Sequence, residues 1–148
     1  MRYVIPIFAL SMAMGSLNSS SKPVEVQLNV AVKGSKVWAT LTFTNASSQE
    51  IQLEKYKVHF GTVYADNFEI TNGEKKIPYT KELSKRILRD RNFFKLCAGK
   101  KLTTQIDLTQ LYDFSSGTHR YKVRYCAFPI RDQVIELTSN SVIFTYTK

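Results

Sequence analysis

Strict two-residue alternation between Leu102 and Tyr125 constrains this chain more than any other feature. Leu102, Thr104, Ile106 and Leu108 alternate with Thr103, Gln105 and Asp107, the pattern of a strand with one face buried. Tyr121, Val123 and Tyr125 repeat it, with Lys122 and Arg124 facing out. Leu111-Tyr112-Asp113-Phe114, followed by Ser115-Ser116-Gly117, predicts a short helical turn or corner ending at glycine.

Similar stretches occur along the rest of the chain. Val24, Val26, Leu28, Val30 and Val32 form one apolar stripe, and Gly34-Ser35 turns the chain. Val37, Ala39, Leu41 and Phe43 form the next, opposite Thr40, Thr42 and Thr44. Trp38 falls on the Thr side, so it is expected to be partly exposed or covered by a loop. Ile51 and Leu53 start a third strand that is traced through Tyr56, Val58 and Phe60, with Gly61 as its breaker. Phe68 to Ile77 reads as a hairpin, its Asn72-Gly73 suited to a type I′ turn. Thr80 to Phe94 reads either as a short helix, with Leu83, Ile87 and Leu88 on one side, or as an edge strand and long loop. Asn140 to Tyr146 is the last strand. Many short strands without a long helix predict an all-β, immunoglobulin-like antiparallel β-sandwich of about seven to eight strands, spanning residues 24–148.

The first residues read differently. Arg2 precedes an apolar run, Tyr3 to Met14, that is shorter than the roughly 20 residues of a membrane span. Ala13-Met14-Gly15 supplies a small-x-small cleavage pattern. Residues 1–15 are therefore read as a secretory signal peptide, with an uncleaved anchor or buried strand as the alternative, and residues 16–23 as a flexible leader. A secreted or periplasmic location follows. The mature chain of about 130 residues suits one domain.

Export bears on the two cysteines. Cys97 and Cys126 flank the two alternating strands, and if those lie antiparallel the thiols fall at one end of the domain. Pairing is expected in an oxidising compartment, closing a loop that stabilises the fold by ~3–4 kcal/mol in the chain-entropy model. Two free thiols are the alternative.

Without Arg2 the basic residues fall from 21 to 20 against 12 acids, and the formal charge from +9 to +8. Ten of those twenty lie between Lys75 and Lys101. Lys81, Lys85, Arg86, Arg89, Arg91 and Lys95 enclose Phe93 and Phe94, a basic and aromatic segment suited to an anionic partner. The competing reading is a solvated loop whose Phe93, Phe94 and Leu96 plug the sandwich end. Nucleic acid is disfavoured as a partner, because no recognition motif is present.

Signals of catalysis are sparse. His59 and His119 are the only histidines, no HExxH or G-x-S-x-G occurs, and no glycine-rich loop opens a helix. His59 is expected on a strand or in the core, and His119 in the turn before its strand. Asp107 and Asp113 are expected to cap local backbone. Asn18-Ser19-Ser20 and Asn45-Ala46-Ser47 match the glycosylation sequon. No enzyme activity and no cofactor is expected.

Several short motifs together resemble the amino-terminal β-sandwich of deuterolysin-like and peptidyl-Lys metalloendopeptidases. They are Leu96-x-Ala98-Gly99, Asp107-Leu108-Thr109, Leu111-Tyr112-Asp113, Gly117 and Tyr121-x-Val123-x-Tyr125, with Leu41-x-Phe43-x-Asn45, Phe68-Glu69-Ile70, Ile77-Pro78-Tyr79, Lys85-Arg86 and Ser139-Asn140-Ser141-Val142. The approach from Gly117 to Tyr121 is about two residues longer than that family's. The family's zinc-binding HExxH helix has no counterpart here. The resemblance therefore implies a relative of a non-catalytic domain, and a protein-binding role such as inhibitor or accessory subunit of a secreted protease. An anion-binding surface built on residues 75–101 is the alternative function.

Overall fold

The computed structural model describes residues 22–59, 65–81, 93–127 and 135–148. The strands are β1 (Val24–Lys33), β2 (Lys36–Asn45), β3 (Ile51–Glu54), β4 (Phe68–Asn72), β5 (Lys75–Lys76), β6 (Phe93–Leu96), β7 (Lys101–Asp107), β8 (Thr118–Ala127) and β9 (Leu137–Thr147). Seven of them form one sheet in the order β5-β4-β8-β9-β1-β2-β7, while β3 pairs with β6.

That long sheet doubles over on itself. Strands β2 and β8 stand three places apart in the order, which would separate them by roughly 14 Å in a flat sheet. Yet the rings of Phe43 on β2 and Tyr125 on β8 meet edge to face, with centroids 5.6 Å apart. The two halves therefore face each other across the core: β1, β2 and β7 against β4, β8 and β9. Taken as strands A, B, E and C, F, G, they have the pairing of an immunoglobulin-like β-sandwich. All ladders are antiparallel except β1 with β9, which run parallel at Val26 and Ser139, so the sandwich is mixed rather than purely antiparallel. Asn140 fastens that junction. Its side-chain amide accepts from the Leu28 N–H at 2.9 Å and donates to the Leu28 carbonyl at 3.1 Å, as a neighbouring strand would.

Burial follows the alternation closely. Val37, Ala39, Leu41 and Phe43 are fully enclosed, as are Tyr121, Val123 and Tyr125. At roughly 1.5–3 kcal/mol for each large apolar side chain removed from water, these two stripes are a main driving force for closing the sandwich. Trp38 is half-buried on the Thr face, with Lys36 Nζ 5.4 Å from its ring centre. Phe68 meets Tyr125 at 5.5 Å and Tyr112 at 6.3 Å, carrying the aromatic core toward the β7–β8 connection.

Several local features differ from expectation. The helical turn lies at Leu108–Gln110 rather than at Leu111–Phe114, because Asp107 ends β7 and caps it by accepting from the Thr109 N–H at 3.1 Å. Asp113 caps nothing similar; it pairs with Lys148 Nζ at 2.8 Å. The hairpin turn uses Gly73-Glu74, with Asn72 already paired to Lys75. Only Gly73 has a positive φ there, +59°, which fits a type II′ rather than a type I′ turn. β3 stops at Glu54, and the chain turns through residues 55–59 instead of continuing as a strand; Phe60 and Gly61 lie outside the described residues. His119 lies within β8, not before it.

The expected Cys97–Cys126 disulfide does not form: both thiols are free, Cys97 exposed and Cys126 buried. Antiparallel direction alone is insufficient, because β7 pairs with β2 while β8 lies between β4 and β9. Cys97 sits beside Glu50, whereas Cys126 is fixed by its own N–H donating to Asn67 O at 2.7 Å.

Candidate interaction surface

The register of β4, β8 and β9 arranges their outward side chains in rows. Glu69, Arg124 and Ser141 form one row; Lys76, Thr71, Lys122 and Ile143 form the next; Arg120 and Thr145 form a third. Each lies on the solvent side because its strand neighbours, Phe68, Ile70, Tyr121, Val123 and Tyr125, fill the core. Four cations, Lys76, Arg120, Lys122 and Arg124, thus share a sheet face with the carboxylate of Glu69, and Glu136 lies near enough to act on Arg124. The Glu69 carboxylate is already engaged by Arg124 Nη2 at 2.7 Å, and it raises the guanidinium pKa. Glu69, Thr71, Lys122, Arg124 and Ser141 line a shallow depression there. At the β9 end of the middle row, beside Lys122, stands Ile143, 54% exposed.

The residues expected to bind an anion are placed differently. Lys81 is exposed, and Lys95 is exposed with its Nζ 3.8 Å from Glu50. Phe93 and Phe94 lie in β6, half-buried, opposite Glu54 and Leu53 of β3, and Phe94 packs against the main core beside the buried Leu96. Lys85, Arg86, Arg89 and Arg91 lie outside the described residues. Lys75 and Lys76 belong to one edge strand of the long sheet and Lys101 to the other. Sequence reasoning finds Lys122 and Arg124 as outward positions, but aligning them with Lys76 requires the β4–β5 and β4–β8 registers, which alternation does not encode.

Both histidines have structural surroundings. His59 is buried in the left-handed region, φ 52°, against the rings of Phe68 and Tyr125 at 5.5 and 6.3 Å. Its Nε2 lies 3.4 Å from Asn67 Nδ2, and burial lowers its pKa to about 4. His119 Nε2 donates to the Ser116 carbonyl at 2.8 Å, which leaves Nδ1 to accept from Asn72 Nδ2 at 3.2 Å. Among the described residues, no group of three or more His, Cys, Asp or Glu side chains is placed to hold a metal ion. Tyr112 hydroxyl accepts from the Phe68 N–H at 3.1 Å and donates to Asp66 at 2.8 Å; burial, then Asp66, drives its pKa far up. These are the bonds of a buried corner, not of a reactive group.

No protein-family model matches the chain, and no curated protein matches it.

Proposed function

We propose that this protein is an exported, non-enzymatic binding module that uses the β5-β4-β8-β9 face to engage an acidic surface of another protein. The observation that carries this reading is the alignment of Lys76, Arg120, Lys122 and Arg124 on one sheet face, with exposed Ile143 next to Lys122 at its β9 margin. Cations on one rigid sheet attract an acidic partner and orient it. Ile143 supplies what a purely ionic polymer would not use, an apolar contact beside the cations. The likeness to accessory domains of metalloendopeptidases narrows the partner to an exported protease, with this chain as inhibitor or accessory subunit.

The test compares immobilised wild type with the Arg120→Glu/Lys122→Glu double variant and with Ile143→Asp. Exported proteases applied to each are scored for binding and inhibition at rising salt. Binding by wild type that weakens with salt and is lost in both variants supports the reading. Equal capture by all three sinks it.

A further inference from the structure

We infer that β7 of one copy pairs antiparallel with β7 of a second copy, across a twofold axis at Thr104. β7 ends the long sheet, with β2 as its only neighbour among the described strands. The parity of its backbone groups follows from its entry. Cys97 to Lys100 form a turn closed by the Lys100 N–H donating to Cys97 O at 3.1 Å. Gly99, φ +70°, donates to Asn45 O at 2.9 Å, and the Asn45 N–H donates to Lys100 O at 3.0 Å, a glycine bulge. Lys100 therefore faces β2, as do Leu102, Thr104 and Ile106 by alternation. Lys101, Thr103 and Gln105 turn their N–H and C=O groups outward.

Such an edge invites another strand unless it is blunted. β7 has no proline, and its register with β2 is unbroken from Trp38–Asp107 to Thr44–Lys101. Two of its side chains also leave a buried polar atom without a hydrogen-bond partner: Thr104 Oγ1 and Asp107 Oδ2, in residues 9% and 7% exposed. Asp107 Oδ1 is used by Thr109, and Oδ2 has only Lys36 Nζ at 3.5 Å.

One register meets all these needs together. With Thr104 opposite itself, Thr103 faces Gln105 of the second copy, and their outward groups exchange both hydrogen bonds. Lys101 then faces Asp107 of the second copy, bringing a second cation toward Oδ2, which has Lys36 Nζ at 3.5 Å but no hydrogen bond. The two Thr104 residues form a close, non-hydrogen-bonded pair about 4.5 Å apart at Cα, where threonine hydroxyls bond each other. Leu102 and Ile106 meet on the core side. Shifting the register by two residues sets Thr104 against Leu102 or Ile106 and separates Lys101 from Asp107. The twofold contact closes on itself, so the assembly stops at two chains.

Sedimentation of the full chain across a dilution series tests this, together with amide exchange. The expected result is a dimer in which the Thr103 and Gln105 amides are protected only at associating concentrations. Thr103→Pro deletes an N–H that faces away from β2, so the fold keeps its ladder. It should weaken the dimer by about tenfold or more. Lys101→Glu, which sets two carboxylates opposite each other, should weaken it as well and covers the case in which the proline variant fails to fold. A dimer that persists in folded Thr103→Pro and in Lys101→Glu overturns the assignment. So does a chain that is monomeric throughout, whether those amides exchange freely or are covered by some other strand.

Discussion

Asn45, at the end of β2, is tied to Leu96, at the end of β6, by a 2.8 Å hydrogen bond from its Nδ2 to the Leu96 carbonyl, and it is wholly buried. The same amide donates to Gln49 O at 2.7 Å, and Oδ1 accepts from the Ser47 N–H at 2.9 Å. One side chain therefore satisfies the backbone where β2, β6 and the following loop converge. Asn45→Ala would leave the buried Leu96 carbonyl without this donor, while Gln49 O keeps the Ser47 hydroxyl at 3.0 Å. The expected loss is about 1–3 kcal/mol. Urea denaturation at neutral pH measures it, and a loss below about 1 kcal/mol would contradict the assigned geometry. Because Nδ2 is also the atom a sequon glycan would occupy, folded protein from a glycosylating host should carry none at Asn45. Intact-mass and peptide analysis decide that point.

Much of this fold is legible in the sequence, for a physical reason. A strand with one buried face needs apolar residues at every second position, so Tyr121, Val123 and Tyr125 declare their own orientation. Their neighbours are another matter. β7 and β8 are consecutive and both alternate, which suggests that they lie side by side; hydrogen bonding instead sets β7 beside β2 and β8 between β4 and β9. Pairing depends on contacts between residues far apart in the chain, and periodicity carries no record of partners. The mistaken sulfur bridge between Cys97 and Cys126 follows from that gap. Likewise Lys122 and Arg124 are readable as outward cations, but their alignment with Lys76 emerges only from register. His59 gives no sequence sign of its left-handed backbone, since glycine is the usual signal there.

His59 should make stability depend on acid. Its folded pKa, about 4, lies below the ordinary 6.5 because burial against Phe68 and Tyr125 opposes the charged ring. The unfolded chain therefore binds the proton first as pH falls. This group's contribution is complete above about pH 6.5 and is lost progressively down to about pH 4, by roughly 3 kcal/mol. Denaturation midpoints at several pH values in that window should fall in wild type. His59→Asn, which tolerates the positive φ but does not titrate, should show a shallower slope. Identical slopes for the two proteins would remove His59 as the cause.

Lys57 and Glu54 form an enclosed ion pair, Nζ to Oε2 at 2.8 Å, with side chains 3% and 8% exposed. The Tyr56 hydroxyl also donates to Glu54 Oε2 at 2.6 Å, and Tyr125 donates to the Lys57 carbonyl, so the turn after β3 is held to the core at several points. Removing one charge strands the other out of water. Lys57→Met should destabilise by about 3–5 kcal/mol, whereas Lys57→Met with Glu54→Gln should recover part of that loss. A double-mutant cycle in urea reads the coupling. Additive losses would show that the two charges do not depend on each other.

The free thiols should differ in reactivity. Cys97 is exposed on the turn leading into β7, while Cys126 lies in β8 with its side chain covered. Burial, followed by the Glu69 carboxylate, raises the Cys126 pKa and suppresses the thiolate that an alkylating reagent attacks. Under native conditions near neutral pH, iodoacetamide should label Cys97 promptly and Cys126 slowly; in denaturant the two should react alike. Mass should not change on reduction. Adding Glu69→Gln separates the causes: it should accelerate Cys126 only modestly, because covering by the fold is the larger effect. Equal native rates at the two positions would show that β8 opens at Cys126 on the labelling timescale, and would place that end of the strand among the least stable parts of the sheet.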